Sequence, residues 1–365
     1  MSKQRTTGHV TSFVLQNPDI VKTSRNLIDG ITPSSDGIAR TRSQIISVVI
    51  PTRNRIDQIE HALASILEGT RLPLEIIVVD QSNPELVPAL AEVVQSVTRQ
   101  HGFSLLAETE CFPLVRFIHS DTVGAGTNRN LGAAAAHGEI ILFMDDDCLA
   151  GNDWIEMVEQ EYSQHADIQA VYGRILPPMT IKRNGTEIGR RSTERRVFDR
   201  PVKPWHIGSG GNMSFRREAF LKCGGFDEVM NIGGALGTFE DLDIGYRLLR
   251  RGLKIVYTGK SLVYHDSKKD FEQQIRTEKS YGKGVGAATA KYLRCGWVSA
   301  LLVLWQWYWH MAIRRTFAGI LKWHSIKVVR LALLQFWYPF VGLIEGLTWP
   351  LDRVHHLYQP KVSDS

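Results

Sequence analysis

The sequence has few cysteines and no cysteine pattern that would build a disulfide framework or a zinc site. Cys111, Cys148, Cys223 and Cys295 form no C-x-x-C pair, and none has a neighbouring histidine at zinc-ligand spacing. The small disulfide-rich and zinc-finger classes are therefore excluded. Because scattered free thiols are typical of a reducing compartment, we expect the main domain to lie in the cytoplasm.

The N-terminus lacks the apolar segment of a secretory signal, because polar and basic residues follow Met1. Residues 1–43 show no sustained hydrophobic periodicity, so we expect a flexible extension with one short helix near residues 21–28. The net charge of +5 is modest and names no partner by itself. A hydrophobic content of 43 % and a charged content of 22 % indicate a globular chain rather than a disordered one.

Apolar runs and amphipathic segments alternate along the first half of the chain. Buried parallel strands are predicted at residues 45–50, 74–79, 114–119 and 139–144, and helices after the first three of them. This order predicts an α/β fold with a doubly wound, mostly parallel sheet. Ligands bind beyond the carboxyl ends of such strands. We therefore expect residues 51–55, 80–82 and 145–147 to face one crevice.

Three adjacent carboxylates, Asp145, Asp146 and Asp147, follow the last of these strands. Their mutual repulsion is costly unless a cation or solvent offsets it. Mg²⁺ and Mn²⁺ take oxygen ligands and often join a carboxylate to a diphosphate. The alternative is a solvated acidic turn, but the position at the edge of the sheet favours a metal site.

Other polar side chains are predicted at the same edge of the sheet. Arg129, on the preceding helix, could clamp a phosphate oxygen, or it could be an ordinary surface charge. Asp80 could accept the imide N–H of a pyrimidine. The first strand end supplies Pro51, Thr52, Arg53 and Asn54, of which Thr52 and Arg53 could approach the base or ribose. These residues together indicate a nucleotide site.

A second acidic motif, with Glu240 and Asp241, follows a glycine-rich loop and begins a predicted helix at residues 237–251. Acidic residues in the first helical turn complement the helix dipole, and that role would account for Asp243. Glycosyl transfer by direct displacement needs a base for the acceptor hydroxyl and a cation for the leaving diphosphate. The two acidic clusters would supply both.

The chain resembles the family 2 glycosyltransferases, which have the GT-A fold. Four motifs match in order: S-V-V-I-P-T-R-N-R; E-I-I-V-V-D; N-R-N-L-G with I-I-L-F-M-D-D-D; and G-G-N-M-S-F-R-R followed by G-G-F-D-E and F-E-D-L-D-I-G-Y-R-L. The resemblance implies that Asp80 contacts the nucleobase, Asp145 the ribose, Asp147 the metal, and that Asp241 is the base of an inverting displacement. Asp146 competes with Asp147 for the metal, and His265 is a further candidate ligand.

The same resemblance assigns Gly210, Gly211, Asn212 and Glu240 to the acceptor side. Processive members of the family carry a Q-x-x-R-W signature, whereas this chain has Q-Q-I-R-T at residues 273–277. The missing tryptophan favours an enzyme that adds a single sugar.

The second half of the chain carries a basic segment, residues 182–203, with eight basic side chains against three acidic ones. It is either a solvated loop or an arm that contacts an anionic acceptor or a membrane surface. Further along, seven of the nine tryptophans fall between positions 297 and 349, together with basic residues. Apolar stretches at 297–313 and 331–349 predict an interfacial or re-entrant helical hairpin, or else a buried helical subdomain or dimer interface.

The sequence therefore predicts three parts: an extension (1–43), a GT-A domain (44–290, with a nucleotide-binding half, 44–150, and an acceptor half, 151–290) and a hydrophobic helical appendage (291–365). The expected function is hexosyl or deoxyhexosyl transfer from a UDP- or dTDP-sugar to a glycan or lipid-linked acceptor, with Mg²⁺ or Mn²⁺. We expect attachment to the inner face of a membrane and no nucleic-acid partner. A non-catalytic scaffold of the same fold and a nucleotidyltransferase are the alternatives.

Overall fold

The computed structural model describes residues 32–33, 39–43, 45–103, 114–177, 192–265 and 269–361. The short helix predicted near residues 21–28 and the first half of the basic segment, through residue 191, lie outside the described residues. Part of the predicted extension is described: β1 (Thr32–Pro33) pairs with β2 (Ala39–Arg42), and β2 pairs in parallel with β4 (Arg71–Leu72). The end of the extension is therefore tied to the main domain.

A nine-stranded sheet forms the centre of the molecule. The strands are β3 (Ile46–Thr52), β5 (Glu75–Asp80), β6 (Leu114–His119), β7 (Ile140–Phe143), β8 (Cys148–Ala150), β9 (Ile168–Leu176), β10 (Arg196–Phe198), β11 (Met213–Arg216) and β12 (Lys254–His265). Their order in the sheet is β10-β12-β9-β11-β7-β3-β5-β6, with β8 paired to β12. The pairs β3–β5, β3–β7 and β5–β6 are parallel, whereas β11 is antiparallel to β7 and β9. The predicted α/β class with a mostly parallel sheet is confirmed.

The register of the parallel strands places their polar ends side by side. Thr52 lies opposite Asp80, and Asp80 lies opposite His119. Because β7 is also parallel to β3, the aspartates that follow β7 reach the same edge. The fold thus positions all three predicted strand ends together.

Helices cover both faces of the sheet. They are α1 (Ile56–Leu67), α2 (Val87–Gln100), α3 (Ala125–Ala135), α4 (Trp154–Gln164), α5 (Arg217–Lys222) and α6 (Glu240–Arg250). Side chains of α1, α2 and α4 pack in one buried cluster, which includes Leu63, Leu90 and Val158. A second cluster, on the other face, includes Ala133 of α3 and Ile244 of α6. Such burial on both faces explains why the strands read as continuous apolar runs.

The acceptor half contains two long elements. The first is β12, a single strand that has a register shift between Thr258 and Leu262. A 24-residue helix, α7 (Phe271–Arg294), follows it and is continuous across the predicted boundary at residue 290. The sequence did not predict α7, because its buried face consists largely of glycine and alanine instead of large apolar side chains.

The C-terminal part is helical, as predicted. It contains α8 (Ala300–Trp307), a π-helical turn (Tyr308–Ile313), α9 (Arg314–Leu321) and α10 (Ile326–Thr348), followed by the hairpin β13 (Leu351–Asp352) and β14 (Leu357–Tyr358). Glycines let α7 and α10 approach closely. A Cβ atom at Gly286 would collide with the carbonyl of Pro339, and one at Gly342 with the carbonyl of Lys283. Small residues at such crossings allow helix backbones to touch.

The other face of α10 carries large apolar side chains that no element of the described chain covers. Leu333, Trp337, Phe340, Ile344 and Leu347 are exposed at helical spacing. Among the described residues, α10 is the one helix long and apolar enough to cross a membrane. Because no described element packs on this stripe, it is suited to contact with a membrane or with another protein.

A buried charge network joins α6 to α7. The Lys291 ammonium of α7 lies 2.7 Å from Asp227 and 2.7 Å from Asp243, and the Arg247 guanidinium lies 2.6 Å from Asp243. All four side chains are fully buried. Burial alone would raise the pKa of Asp243, but Lys291 and Arg247 outweigh it and lower that pKa. Asp243 therefore belongs to the core and is not simply a helix-capping residue.

Candidate active site

The three predicted strand ends meet at one edge of the sheet. Thr52 Oγ1 donates a hydrogen bond of 2.8 Å to Asp146, and the backbone N–H of Asn54 donates one of 2.6 Å to Ser82 Oγ. Asn54 has φ 55°, a left-handed conformation that asparagine tolerates better than most residues. Pro51 is buried on β3, whereas Arg53 is exposed. The expected crevice is present.

Asp80 is buried, and both of its carboxylate oxygens are engaged. Oδ1 accepts a hydrogen bond of 2.9 Å from the backbone N–H of Ser82, and Oδ2 lies 2.8 Å from Nδ1 of His119. His119 is partly exposed at the end of β6. His119 therefore covers Asp80 at the wall of the crevice, and of the two side chains it is the exposed one.

The three aspartates that follow β7 have different surroundings. Asp146 is buried and paired with Arg55 at 2.7 Å, in addition to its bond from Thr52. Burial raises the pKa of Asp146 to about 6, with a contribution from Asp147, although Arg55 opposes the shift. Asp147 is less buried and lies 3.0 Å from the same arginine. Asp146 is thus engaged within the protein, and Asp147 faces outward.

Asp147 lies beside His265, at the end of β12. Its Oδ1 is 3.2 Å from Nε2 of His265, and these groups lie with Cys148 Sγ within 4.8 Å of one another. Burial alone would raise the pKa of Asp147, but the hydrogen bond and charge of His265 outweigh it, and the pKa is lowered. Burial would lower the pKa of His265, but Asp147 reverses the effect and raises it. The ends of β7 and β12 therefore bring Asp147 and His265, the two predicted metal ligands, into contact.

Arg129 joins the two acidic clusters. It is buried in α3, and its guanidinium lies 2.5 Å from Asp145 and 3.1 Å from Glu240. Its Nε and Glu240 Oε2 have no hydrogen-bond partner among the described residues. Burial and the neighbouring charge of Asp241 raise the pKa of Glu240 to about 8, although Arg129 opposes the shift. This arrangement excludes the interpretation of Arg129 as an ordinary surface charge.

Asp241, in the first turn of α6, faces the Gly210 loop. The backbone N–H of Gly210 donates a hydrogen bond of 2.8 Å to Asp241 Oδ2. Burial raises the pKa of this carboxyl, although Arg129 and the N–H groups of Gly210 and Leu242 oppose the shift. A Cβ atom at Gly210 would lie 3.2 Å from Asp241 Oδ2, and one at Gly211 would lie 3.3 Å from Asp145 Oδ2. The loop therefore lies between the two acidic clusters.

Asn212 ends this loop and is buried beneath it. Its side chain donates to the carbonyl oxygens of Arg174 and Ser261, each at 3.0 Å, and accepts a bond of 3.0 Å from Trp154 Nε1. All these partners belong to the protein. Asn212 is thus placed to hold the Gly210–Gly211 backbone in position.

Two family models match the chain. Glycosyl transferase family 2 matches residues 47–224, and Glycosyl transferase family group 2 matches residues 140–345, which is more than half of the chain. The chain belongs to the family 2 glycosyltransferases. The matched ranges include both acidic clusters and extend through α7 into α10.

Curated relatives of this family 2 glycosyltransferase have different names and lengths. It is 27 % identical over 241 residues to the O-antigen biosynthesis protein RfbC of Myxococcus xanthus, covering 61 % of this chain and 17 % of that protein. It is 26 % identical over 190 residues to the glucosyl-dolichyl phosphate glucuronosyltransferase of Haloferax volcanii, covering 50 % of this chain and 56 % of the relative. The chain therefore spans only part of the length of these curated relatives.

Solved structures support the GT-A fold. The mannosyltransferase PcManGT from Pyrobaculum calidifontis, in complex with GDP-Man and Mn²⁺, has a TM-score of 0.51 at 16 % identity, covering 88 % of this chain and 91 % of that one. TarS 1–349 from S. aureus has a TM-score of 0.51 at 16 % identity, covering 83 % and 89 %. These likenesses establish the fold of this family 2 glycosyltransferase and leave its substrates open.

The donor groups of the site suit a hard divalent cation. Asp147 and His265 are partly exposed and converge, and Asp145 lies on the same loop with similar exposure. Carboxylate oxygen and imidazole are ordinary ligands of Mn²⁺, and carboxylate oxygen of Mg²⁺. Asp146 fits less well, because Thr52 and Arg55 already engage both of its oxygens.

The sequence placed Arg55 at the crevice without a role, and it missed His119. Arg55 pairs with Asp146 and Asp147, although it lies within the quoted P-T-R-N-R motif. His119 pairs with Asp80 at the end of a strand that was predicted correctly. Inspection of every polar residue within one position of a strand end would have found His119. The pairing of Arg55 depends on the turn between β3 and α1, which periodicity does not encode.

Proposed function

We propose that this family 2 glycosyltransferase moves a single hexosyl or deoxyhexosyl unit from a nucleotide-diphosphate sugar to a hydroxyl of a glycan or lipid-linked acceptor, with inversion. The observation that carries the proposal is the position of Arg129 between Asp145 and Glu240, next to Asp241. It brings a diphosphate-binding charge, a metal-ligand loop and a base to one crevice. Surface polysaccharide or glycolipid synthesis is the proposed setting.

The nucleotide would lie over the ends of β3, β5 and β6. In the proposal, Asp80 and His119 contact the nucleobase, and Pro51, Thr52, Arg53 and Asn54 form the wall beside the base and ribose. Asp145 contacts the ribose, Asp146 holds Arg55 in place, and Arg129 binds the diphosphate. The UDP- and dTDP-sugars are favoured, since a carboxylate suits the imide N–H of a pyrimidine.

Asp147, with Asp145 and His265, would hold Mg²⁺ or Mn²⁺. A bound ion supplies Lewis-acid neutralisation of the charge that develops on the leaving diphosphate. The Asp147–His265 contact orients both side chains before any ligand arrives. Arg129 adds a second, permanent positive charge on the donor side.

Asp241 would be the base. The acceptor oxygen attacks the anomeric carbon opposite the diphosphate, and a new C–O bond forms while the bond to the diphosphate breaks. The acceptor proton passes to Asp241, and the diphosphate leaves with the electron pair. Gly210 and Gly211 leave room for the acceptor beside Asp241, and Glu240 and Asn212 position this side of the site.

The C-terminal helices would attach the enzyme to the cytoplasmic face of a membrane. The exposed stripe on α10 and the tryptophans around it support this part of the proposal. In the proposal, residues 1–43 are the extension, residues 44–290 the transferase, and residues 291–365 the membrane-associating segment. Arg195 and Arg196 of the basic segment are available to an anionic acceptor, although each also pairs with a glutamate.

A donor screen tests the proposal. Purified protein is incubated with UDP-, dTDP- and GDP-sugars, with Mn²⁺, Mg²⁺ or EDTA, and nucleotide release and thermal stabilisation are measured. We expect one donor class to be hydrolysed slowly in the presence of metal and not after chelation. Stabilisation by a nucleotide sugar without any turnover, even with an acceptor extract, would instead indicate the scaffold alternative.

A further inference from the structure

An open pocket of about 590 Å³ lies beside α9, away from the crevice. Its walls come from the π-helical turn, α9 and the residues that follow α9. They combine basic and aromatic side chains: His310, Arg314, Arg315, Lys322, Phe317 and Trp323. Neither the proposed transfer reaction nor the family motifs use this pocket.

The charges of the pocket are unbalanced. Arg315 is paired with Glu278 at 2.6 Å. Arg314 and Lys322 are exposed and form no ion pair with a carboxylate of the described chain. The residues that line the pocket include no carboxylate. Two uncompensated positive charges around a cavity of this size favour an anionic ligand.

The rim of the pocket is apolar and exposed. Phe317, Leu321 and Trp323 are 61 %, 71 % and 53 % exposed. α9 packs on α10 through Gly319, where an added Cβ would lie 2.8 Å from Val329. The pocket therefore lies on a helix that packs directly against α10, the helix with the exposed stripe.

A soluble anion needs no such rim, whereas a phosphate attached to acyl chains does. Tryptophan and phenylalanine concentrate where a protein meets lipid headgroups, and arginine and lysine accompany them. We propose that this pocket binds the phosphate headgroup of an anionic membrane lipid. Arg314 and Lys322 supply the charge, and Phe317 and Trp323 enter the interfacial layer. This inference rests on the proposed membrane attachment and adds to it a requirement for anionic lipid.

Vesicle flotation tests the inference on the full chain. One set of vesicles is phosphatidylcholine alone, and the other contains about 30 % phosphatidylglycerol, which provides the negative surface potential that attracts basic residues. The double variant R314Q/K322Q removes the two unpaired charges. R99Q/K260Q is the matched control, because it removes one exposed arginine and one exposed lysine that lie outside the pocket and form no ion pair with a carboxylate of the described chain.

We expect the unaltered protein to bind the anionic vesicles more tightly than the neutral ones. R314Q/K322Q should weaken the anionic binding by about 10- to 30-fold, and the control by less than about threefold. The double variant should retain the unaltered rate of metal-dependent donor hydrolysis in detergent. Replacement of Phe317 and Trp323 by alanine should weaken binding to both kinds of vesicle.

Equal binding of R314Q/K322Q and the control to anionic vesicles would overturn the inference. Inorganic phosphate is the second probe: stabilisation by phosphate that R314Q/K322Q abolishes, with vesicle binding unchanged, would assign the pocket to a soluble anion and also overturn it. Binding of the unaltered protein to neither vesicle would reject membrane attachment itself. Donor hydrolysis, measured in parallel, decides the transfer reaction independently of either result.

Discussion

The backbone N–H of Gly210 donates a hydrogen bond of 2.8 Å to Oδ2 of Asp241. Gly210 belongs to the loop that precedes β11, and Asp241 lies in the first turn of α6, so two distant segments fix one carboxylate. The other oxygen, Oδ1, accepts from the backbone N–H of Leu242 at 2.9 Å. The proposed base is thereby held in one orientation before an acceptor binds.

Replacement of Asp241 by asparagine should abolish proton transfer and preserve donor binding. We expect kcat to fall by about 10²- to 10⁴-fold, since a positioned base contributes that factor. The donor Kd, measured by titration calorimetry with Mn²⁺, should change less than about twofold. D153N is the control, because Asp153 is exposed at the start of α4. An equal loss of donor affinity in D241N would place Asp241 on the donor side instead.

On the acidic side, kcat/KM should begin to fall at a pH above the pKa of an ordinary aspartate. Burial raises the pKa of Asp241, and a base works only when deprotonated, so kcat/KM should rise with pH through this raised pKa. Glu240, with a pKa of about 8, ionises only on the alkaline side. It then competes for the charge of Arg129, and the donor KM should increase above about pH 8.

E240Q separates these two effects. The variant keeps the acidic limb and loses the alkaline rise in donor KM, because its side chain cannot ionise. The measurement is kcat/KM and KM across the pH range at saturating metal. An alkaline rise of the same size in E240Q would show that another group titrates there.

His265 should contribute to metal affinity. Replacement by glutamine removes the imidazole that lies 3.2 Å from Asp147, and we expect the Mn²⁺ concentration for half-maximal activity to rise about 10- to 100-fold. D147N should have a larger effect. H61Q is the control, since His61 is exposed on α1. An unchanged metal requirement in H265Q, alongside a changed one in D147N, would restrict the ligand set to the aspartate loop.

The crossing of α7 and α10 should not tolerate a methyl group. An added Cβ at Gly342 would collide with the carbonyl of Lys283, so G342A should destabilise the protein by about 1 to 3 kcal/mol. T348A, at the exposed end of the same helix, should stay within about 0.5 kcal/mol. Thermal unfolding of both variants provides the comparison. A G342A protein as stable as T348A would contradict the close approach of the two helices.

The sequence predicted the parallel strands and the meeting of their ends, because β-branched runs and strand order determine both. It could not predict that Arg129 reaches Glu240, since this contact joins residues that are far apart in the chain. Helix α7 was missed because a glycine- and alanine-lined face has no hydrophobic periodicity. Asp243 was assigned a capping role because its partners, Arg247 and Lys291, are identified only by tertiary packing.

The contact of Lys291 with Asp227 and Asp243 has a mechanical consequence. Separation of α6 from α7 would leave buried charges without partners, which costs several kcal/mol. The two helices therefore move as one body. α6 carries Asp241, and α7 carries the surface on which α10 packs. If the C-terminal helices attach the enzyme to a membrane as proposed, Asp241 stands at a constant height above the lipid. That height would set the distance from the membrane at which an acceptor hydroxyl reaches Asp241.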